Sequence, residues 1–510
     1  MRPHTPSMTR RGLLAASAGA GSLFVFAGQR FLSNGSGLAV AVASLPNSLI
    51  TGFSSFSSLS VIMQMLEPLV TRNAAGIAVP CLATHWEMDG DSSWIFHLRE
   101  GVKFQDGKLF SAEDVKFTFD YILDPGNNYG VRTRISRVTG VEVVDDLTVR
   151  ITTDGPFPTM VAGLTNVAIE PKHYFEAVGR DGMTARPMGT GPFILDQWTP
   201  GEMITFNAFP DYWGGMASTA RLVLRQLPEG STRVSSLLTG EIAVAEELPI
   251  DLLKIIDESP AAEVEAAESS VGLILTFDTR IEEFKDPRVR RALNHAVDKQ
   301  TILDRLLMGR GTVLQGQMIT SNTFGHNPEL EPFAYAPDKA RALLAEAGYP
   351  SGFDTSITTR TGKYMADVDI CNVIAAMFSE IGVRTSVNIV EQGVYSKMAN
   401  ARDMGPMHMV GWHSLGDADF AMTWFTKASG RSFWDNEEFE ALFVAGRSSV
   451  DENVRLAAYH RMTEIMNEQC PAIFLFGLPA VFGKSSNLKD WSATPDMILR
   501  MHNASLSSPT

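Results

Sequence analysis

The feature that most constrains this chain is its length, which is not divided by any recognisable linker. It has 510 residues, and single hydrophobic cores stop growing at about 250–300 residues, so we expect at least two lobes. No internal repeat, low-complexity tract or Gly/Ser-rich tether interrupts the sequence. Because no flexible segment is available to join the lobes, the sequence predicts strands that cross directly from one lobe to the other.

The N-terminal residues predict an export signal rather than a folded element. Thr9-Arg10-Arg11-Gly12 places two arginines directly before an uncharged apolar stretch at residues 13–27, the pattern of a twin-arginine signal. That stretch has about 15 residues, whereas a membrane-spanning helix needs about 20. We therefore expect residues 1–27 to be removed, with an ordinary basic amphipathic start as the alternative. No cysteine follows closely, so we expect a protein free in the periplasm rather than a lipoprotein.

Charge and cysteine content exclude several classes of function. The formal net charge is −15 with 20% charged residues, which is the wrong sign for binding nucleic acid through its phosphates. We expect no nucleic-acid partner. The three cysteines, Cys81, Cys371 and Cys470, permit at most one disulfide and lack metal-ligand spacing. Beyond the N-terminal segment no apolar run approaches a membrane span, which excludes a channel.

Hydrophobic periodicity and capping residues predict a mixed α/β chain. Strands are predicted from apolar runs at residues 38–43, 94–99, 141–144, 147–152, 353–358, 383–390 and 407–412. Helices are predicted to begin at or just after Ser111, Asp286, Asp298 and Pro337, with further helices over residues 367–381 and 420–427. The alternation of strands and helices after residue 353 favours an α/β lobe with partly parallel pairing.

Several motifs in a fixed order resemble one protein family. They are Trp86-Glu87, Phe96-His97-Leu98-Arg99-Glu100-Gly101-Val102-Lys103-Phe104, Asp106-Gly107, Ser111-Ala112-Glu113-Asp114-Val115, Pro171-Lys172-His173, Gly189-Thr190-Gly191-Pro192-Phe193, Asp211-Tyr212-Trp213-Gly214-Gly215 and Asp286-Pro287-Arg288-Val289-Arg290-Arg291-Ala292-Leu293. Together they resemble the peptide, nickel and oligosaccharide binding proteins of ABC importers, solute-binding family 5. Phe433-Trp434-Asp435-Asn436 resembles a further motif of the family, with Glu437 in place of its proline.

The resemblance implies an α/β fold of two lobes around a ligand cleft, the type II, cluster C arrangement of periplasmic binding proteins. Lobe I is then expected to comprise residues 38–58, 185–267 and 477–510, with an extra N-terminal subdomain at residues 59–184. Lobe II is expected to comprise residues 268–476. Closure of the lobes about a hinge encloses the solute in receptors of this kind.

The resemblance places the main ligand-recognition loop after the strand that ends near Trp412. Peptide receptors of the family carry an acid three residues after this Trp, which holds the ammonium group of the peptide, and this chain has Leu415 there. Asp417 and Asp419 follow in a stretch that resembles glutathione-type members, and each is a candidate partner for a cationic group of the solute. The alternative is that both acids cap the helix predicted over residues 420–427.

Three further residues are candidate ligand contacts. Trp412 either forms an apolar wall for the solute or fills the core of its lobe. Arg360 lies where some members of the family carry an arginine that binds a ligand carboxylate through a bidentate fork, and an ordinary surface cation is the alternative. His413, with His408 and two methionines beside it, is a candidate for a soft metal or chelate site, although alternation on a buried strand explains the methionines more simply. We predict no metal and no cofactor.

The sequence lacks the common catalytic motifs. It contains no Gly-x-Ser-x-Gly elbow, no His-Glu-x-x-His helix and no dinucleotide fingerprint before a helix. We therefore expect a monomeric receptor, not an enzyme, that captures a peptide or peptide-like small solute for an ABC permease and ATPase complex. Opines, oligosaccharides and nickel or other metal chelates are the alternative cargoes. A periplasmic hydrolase and a peptide-holding chaperone are the alternative functions.

Overall fold

Strands and helices alternate along most of the chain. The computed structural model describes residues 37–46, 48–49, 56–73 and 76–507, so the export signal predicted over residues 1–27 lies outside the described residues. The strands are β1 (Gly37–Val42), β2 (Val70–Arg72), β3 (Ala78–Pro80), β4 (Ala83–Met88), β5 (Ser93–Leu98), β6 (Val138–Asp145), β7 (Thr148–Thr153), β8 (Phe193–Thr199), β9 (Met203–Ala208), β10 (Arg221–Gln226), β11 (Val244–Glu246), β12 (Ala262–Phe277), β13 (Thr312–Val313), β14 (Asp354–Arg360), β15 (Arg384–Val390), β16 (Met407–His413), β17 (Ala472–Ser485), β18 (Leu488–Lys489) and β19 (Ser505–Leu506).

The helices lie between these strands. They are α1 (Phe56–Ile62), α2 (Ala112–Leu123), α3 (Met160–Leu164), α4 (Lys172–Ala185), α5 (Gly230–Leu238), α6 (Leu253–Asp257), α7 (Glu282–Lys285), α8 (Pro287–His295), α9 (Lys299–Leu306), α10 (Pro337–Glu346), α11 (Asp367–Glu380), α12 (Gln392–Ala401), α13 (Ala418–Met422), α14 (Glu437–Arg447) and α15 (Glu452–Gln469). The predicted α/β character is confirmed.

The largest sheet holds eleven strands. Its order is β15-β14-β16-β12-β17-β11-β1-β10-β9-β8, with β13 also paired to β17. At one end β1 is parallel to β10 and β11, and at the other end β14 is parallel to β15 and β16. Parallel pairs are buried on both faces, and apolar cores accordingly flank each half of the sheet.

The two halves of this sheet are joined by the long strands β12 and β17. Their antiparallel pairing runs from Ala262 opposite Ser485 to Thr276 opposite Ala472. β11 pairs with one end of β17, and β16 pairs with the opposite end of β12. A direct strand connection therefore stands in place of a linker, as the sequence predicts.

A separate four-stranded sheet forms between β3 and β8 in the chain. Its order is β4-β5-β7-β6, and all three pairs are antiparallel. Helix α2 packs on it through the predicted apolar stripe, with Val115 and Phe119 buried against Phe96 and Val149. The predicted strand at residues 94–99 and the hairpin over residues 141–152 are confirmed. This sheet has a core of its own.

Capping residues set the helix starts that the sequence predicts. An Asp286 carboxylate oxygen accepts from the backbone N–H of Arg288 at 2.8 Å, and an Asp298 oxygen accepts from the N–H of Thr301 at 3.0 Å. Both bonds satisfy donors that the first helical turn leaves unpaired. After α10, Gly348 adopts a φ of 95°, a left-handed conformation that favours glycine. The predictions for α8, α9 and α10 are confirmed.

Two expectations need correction or completion. The helix predicted over residues 420–427 is instead α13, followed by a 3₁₀ turn at Thr423–Phe425. It begins earlier because the Asp417 side chain caps it, and it ends earlier because Thr426 is extended, with a ψ of 152°. The three cysteines are all buried and free, so the single disulfide that the sequence permits does not form.

Candidate functional site

The loop after β16 is tied to the crossing strand β12. The backbone N–H of Ser414 donates to the carbonyl of Ser270 at 3.0 Å, and the hydroxyls of Ser414 and Thr323 lie 2.7 Å apart. Leu415 and Gly416 then adopt φ values of 50° and 80°. Two successive left-handed residues reverse the chain, so the loop turns sharply between β16 and α13.

Asp417 closes this loop with a buried ion pair. One carboxylate oxygen caps α13 by accepting from the N–H of Asp419 at 3.0 Å, and the other lies 2.6 Å from Nη2 of Arg455. Both side chains are buried. Burial raises the pKa of Asp417, and the charge of Arg455 opposes that shift. The negative charge of Asp417 therefore has a cationic partner within the protein.

Asp419 has a similar environment. Its Oδ2 accepts from Nη2 of Arg447 at 3.1 Å, and its side chain is almost fully buried. Burial raises the pKa of Asp419 and the charge of Arg447 opposes the shift. Within the described ranges, Oδ1 of Asp419 has no hydrogen-bond partner. The structure thus places both predicted acids against arginines of α14 and α15, and ligand contact by either remains a prediction.

Trp412 is half-buried and anchors the start of the next helix. Its indole Nε1–H donates to the carbonyl of Phe420 at 2.8 Å, and its ring lies 4.9 Å from the ring of Trp424. These contacts bury one part of the side chain, and another part remains exposed to solvent. A role as an apolar wall for a solute remains a prediction.

Arg360 is a buried cation whose hydrogen-bond partners are neutral side chains. It is only 8% exposed, and its guanidinium donates to Oε1 of Gln392 at 3.2 Å and to the hydroxyl of Tyr364 at 3.0 Å. The ring of Tyr395 lies 3.8 Å from the guanidinium carbon, a cation–π contact. Tyr364 also donates to the carbonyl of Gly411 at 3.2 Å, which links Arg360 to β16. Among the described residues no carboxylate pairs with Arg360.

His413 ends β16 in a desolvated and positively charged environment. Burial, together with the charges of Arg134 and Lys363, lowers its pKa to about 3. The imidazole is therefore neutral at physiological pH. The two cations that act on His413 come from different parts of the chain: Arg134 ends a 3₁₀ turn at Gly130–Arg134, and Lys363 follows β14.

Sequence reasoning missed Arg72, which contacts the same loop. Its guanidinium donates to the carbonyls of Gly76 at 2.7 Å, Ala162 at 3.2 Å and Leu415 at 2.7 Å. The contact joins β2 and α3, which pack in the core of the small sheet, to the loop after β16. No local pattern marks Arg72, because its partners are carbonyls up to 343 residues away.

The described residues form neither a metal site nor a membrane-spanning helix. Across the described ranges, no three side chains of His, Cys, Asp or Glu converge in a way that could bind a metal ion. His408, which the sequence places beside a candidate chelate site, instead contacts the hydroxyl of Thr276 at 2.9 Å inside the sheet. In the same ranges no helix has the length and apolar character needed to cross a membrane.

The sequence around these residues matches a known protein family. The family model of bacterial extracellular solute-binding proteins, family 5 (middle), matches residues 78–433. The chain belongs to this family. The matched segment contains β14, β16 and all five predicted contact residues. The family assignment made from the sequence motifs is confirmed, and the chain is a solute-binding protein.

Individual relatives agree with family 5 membership. The chain is 30% identical to heme-binding protein A of Haemophilus influenzae, over 77% of this chain and 78% of the relative. It is 27% identical to a glutathione-binding protein of Salmonella typhimurium, over 82% of this chain and 84% of the relative. Each alignment covers most of both chains, so the similarity is not confined to one lobe.

A solved structure shows the same fold. The ABC transporter-associated periplasmic binding protein DppA of Helicobacter pylori, in complex with the peptide STSA, superposes with a TM-score of 0.79 at 26% identity. The superposition covers 93% of this chain and 98% of that one. The predicted two-lobed α/β fold is confirmed. These relatives are binding proteins rather than enzymes.

Proposed function

We propose that this chain is the solute-binding subunit of an ABC importer. It captures a peptide or peptide-like small solute between two lobes and delivers the solute to a membrane permease and its ATPase. The observation that carries the proposal is the contact between Arg72 and Leu415, because it joins two separately cored parts of the chain over the predicted site. Relatives that bind glutathione or hold a peptide support the class of cargo.

The hinge of this receptor lies where β12 and β17 cross. Their pairing shifts register between Glu268 and Val271, and the Ser269 hydroxyl donates to the carbonyl of Leu478 there. A register shift interrupts the regular ladder, so the strands bend more easily at this point. The proposed lobes follow: residues 38–58, 185–267 and 477–510 for lobe I, residues 59–184 for its extra subdomain, and residues 268–476 for lobe II.

Arg360, Trp412 and His413 contribute to the solute site. Arg360 offers guanidinium N–H groups that no carboxylate among the described residues occupies, and Trp412 offers the part of its side chain that stays exposed. Asp417 and Asp419 act on the shape of the loop, because arginines of the chain already balance their charges. This assigns the two acids a positioning role in place of direct binding of a cationic group.

The protein works as a monomer in the periplasm and leaves its solute chemically unchanged. Arg10 and Arg11 support export by the twin-arginine route, and membership of an extracellular family supports the location. No metal or cofactor takes part. Opines, oligosaccharides and nickel or other metal chelates are the competing cargoes, and a hydrolase is disfavoured by the lack of catalytic motifs.

Thermal-shift measurements on the purified mature protein test this function. The panel contains dipeptides, tripeptides, glutathione, heme, an opine and an oligosaccharide. A solute present at a free concentration of 100 times its Kd stabilises the protein by about 2.7 kcal/mol. Mass spectrometry should recover the bound solute unchanged. Small-angle scattering should show a more compact particle with solute. Chemical conversion of a bound solute, or failure of the whole panel to bind, contradicts the proposal.

A further inference from the structure

Four cations near the predicted site have no carboxylate partner. They are Arg72, Arg134, Arg360 and Lys363, and none of them forms an ion pair within the described part of the chain. The residues outside the described ranges contain no Asp or Glu. No side-chain carboxylate therefore forms an ion pair with these four cations, and the charges of Asp496 and Asp417 act on Arg72 only from a distance.

The acids in the same region are already occupied. Asp417 pairs with Arg455, Asp419 pairs with Arg447, and Asp496 lies 2.7 Å from Nη2 of Arg500. One further acid, Glu247, acts on Lys363, but Glu247 is exposed and forms no ion pair among the described residues. The region consequently carries an excess of positive charge.

Contacts between the elements bring these cations to one place. Arg72 donates to the carbonyls of Ala162 and Leu415. The backbone of Arg134 packs so closely on Gly163 that a Cβ there would lie 2.8 Å from its carbonyl oxygen. Arg134 therefore lies next to the segment around Ala162, which Arg72 contacts.

Lys363 approaches from the opposite side. The next residue, Tyr364, contacts β16 through the carbonyl of Gly411 and also holds the guanidinium of Arg360. His413, two residues along β16, experiences the charges of both Arg134 and Lys363. The cations thus form two groups, Arg72 with Arg134 and Arg360 with Lys363, with His413 between them.

Placing these cations close together costs electrostatic free energy. Burial, together with the charge of Arg72, lowers the pKa of Arg134 to about 10. Lys363 is exposed, and its pKa is lowered first by desolvation and then by the charge of Arg360. Like charges that are buried without a counterion, such as that of Arg72, destabilise a fold, and perturbed groups of this kind concentrate at functional sites.

We infer that the solute is an anion with two or more acid groups, one held by Arg72 and Arg134 and another by Arg360 and Lys363. The inference rests on the proposed function, since it assumes that the solute is enclosed at this place. A carboxylate or phosphonate matches the planar guanidinium fork of Arg134 or Arg360, while Arg72, whose Nη groups donate to three carbonyls, contributes its charge. Neutral His413 between the two groups adds a hydrogen-bonding surface without adding a third cation.

A competition experiment tests directly whether the preferred solute carries negative charge. The mature protein is mixed with equimolar Ala-Glu-Ala, Ala-Gln-Ala, Ala-Lys-Ala, reduced glutathione and the glutathione monoethyl ester, and native mass spectrometry identifies the bound species. We expect the Glu tripeptide and glutathione to be bound at least about 10-fold more strongly than the Gln tripeptide and the ester, because each lost charge-assisted contact removes that much or more. Equal binding within each pair, or preference for the Lys tripeptide, overturns the inference.

Variants of single cations, each with a matched control, test which residues cause the preference for the acidic probe. Arg134→Gln and Lys363→Gln should each reduce the preference for the acidic probe by about 10-fold or more. Arg132→Gln and Lys397→Gln, which replace exposed cations of the neighbouring turn and of α12, should leave it unchanged. Without solute, Arg134→Gln should melt at a temperature equal to or higher than that of the wild type, since a repulsive charge is removed. A lower melting temperature with unchanged selectivity assigns Arg134 to structure and overturns its role.

The design separates the inference from the proposed function. If Ala-Lys-Ala binds best, the proposal that the protein captures peptides stands, and the inference that its solute is an anion fails. If no peptide or glutathione probe binds, the peptide cargo of the proposed function fails. Citrate and neutral maltotriose then make the same comparison: selective binding of citrate supports the anion site, and selective binding of maltotriose or binding of neither refutes it.

Discussion

A carboxylate oxygen of Asp417 lies 2.6 Å from Nη2 of Arg455, and both side chains are buried. Arg455 also lies over the ring of Phe324, at 4.7 Å from its centroid, and donates to the hydroxyl of Tyr459 at 3.4 Å. The pair therefore connects the recognition loop to α15 and to the segment that follows β13. Because the acid is neutralised within the protein, we expect the loop to offer little negative charge to a solute.

Asp417→Asn should destabilise the protein. The change leaves Arg455 buried without its counterion, and loss of one partner of a buried ion pair lowers the free energy of unfolding by about 3–5 kcal/mol. Urea denaturation at neutral pH measures this change. Asp435→Asn, which alters an exposed acid without an ion pair in the described chain, is the control and should change stability by less than about 0.5 kcal/mol.

The double variant Asp417→Asn with Arg455→Met gives the sharper test. It removes both charges and should recover much of the stability that Asp417→Asn loses, because an unpaired cation is no longer buried. Additive losses in the two single variants would contradict a direct pair. A cationic solute that loses affinity far more than a neutral one in Asp417→Asn would restore direct recognition by this acid.

Local patterns predicted much of the fold, and long-range contacts account for what they missed. Asp286, Asp298 and Ser111 mark helix starts because a cap acts on residues two or three positions away. By contrast, Asp417 and Arg455 are 38 residues apart, and Arg72 and Leu415 are 343 apart. A pattern confined to neighbouring residues carries no information about such partners, so the sequence predicted a recognition loop after β16 but not the groups that neutralise or contact its acids.

Glu246 should make the stability of the protein fall as the pH rises. Burial, together with the charge of Glu247, raises its folded-state pKa to about 8. Between about pH 4.5 and pH 8 the unfolded chain loses the proton while the folded protein keeps it, so unfolding becomes easier as the pH increases. Chemical denaturation at several pH values across this window measures the slope.

Glu246→Gln should remove this contribution, because the amide does not titrate. The variant should therefore be more stable than the wild type at pH 8 relative to pH 5. Glu202→Gln, a change at an exposed acid, should keep the wild-type slope. If Glu246→Gln and the wild type show parallel pH dependence, Glu246 ionises normally in the folded protein.

The three thiols should be unreactive in the folded protein. Burial raises the pKa of Cys371 to about 12 and that of Cys470 to about 11, and it also raises the pKa of Cys81. Only the thiolate reacts readily with disulfide reagents. Titration with Ellman's reagent at pH 8 should detect almost no thiol before denaturation and three afterwards. A melting temperature that falls on addition of reductant would instead reveal a disulfide.

Gly272 should be the most sensitive glycine of the crossing strands. It pairs with Gly477 across β12 and β17, and a Cβ at Gly272 would lie 2.0 Å from the carbonyl oxygen of Met318. The obstacle is backbone, which cannot rotate away as a flexible side chain does. Overpacking usually destabilises by about 1–3 kcal/mol, and we expect Gly272→Ala to reach or exceed the upper end of that range in urea denaturation.

Gly140→Ala provides the matched control, since Gly140 is also in a strand and a Cβ there meets nothing within 4 Å. It should leave the midpoint of unfolding nearly unchanged. Because the segment around Met318 packs on β12 beside the register shift, Gly272→Ala should also weaken solute binding in protein that still folds. Loss of stability with unaltered affinity would show that Met318 supports the fold alone, and that the hinge tolerates displacement of the segment packed against it.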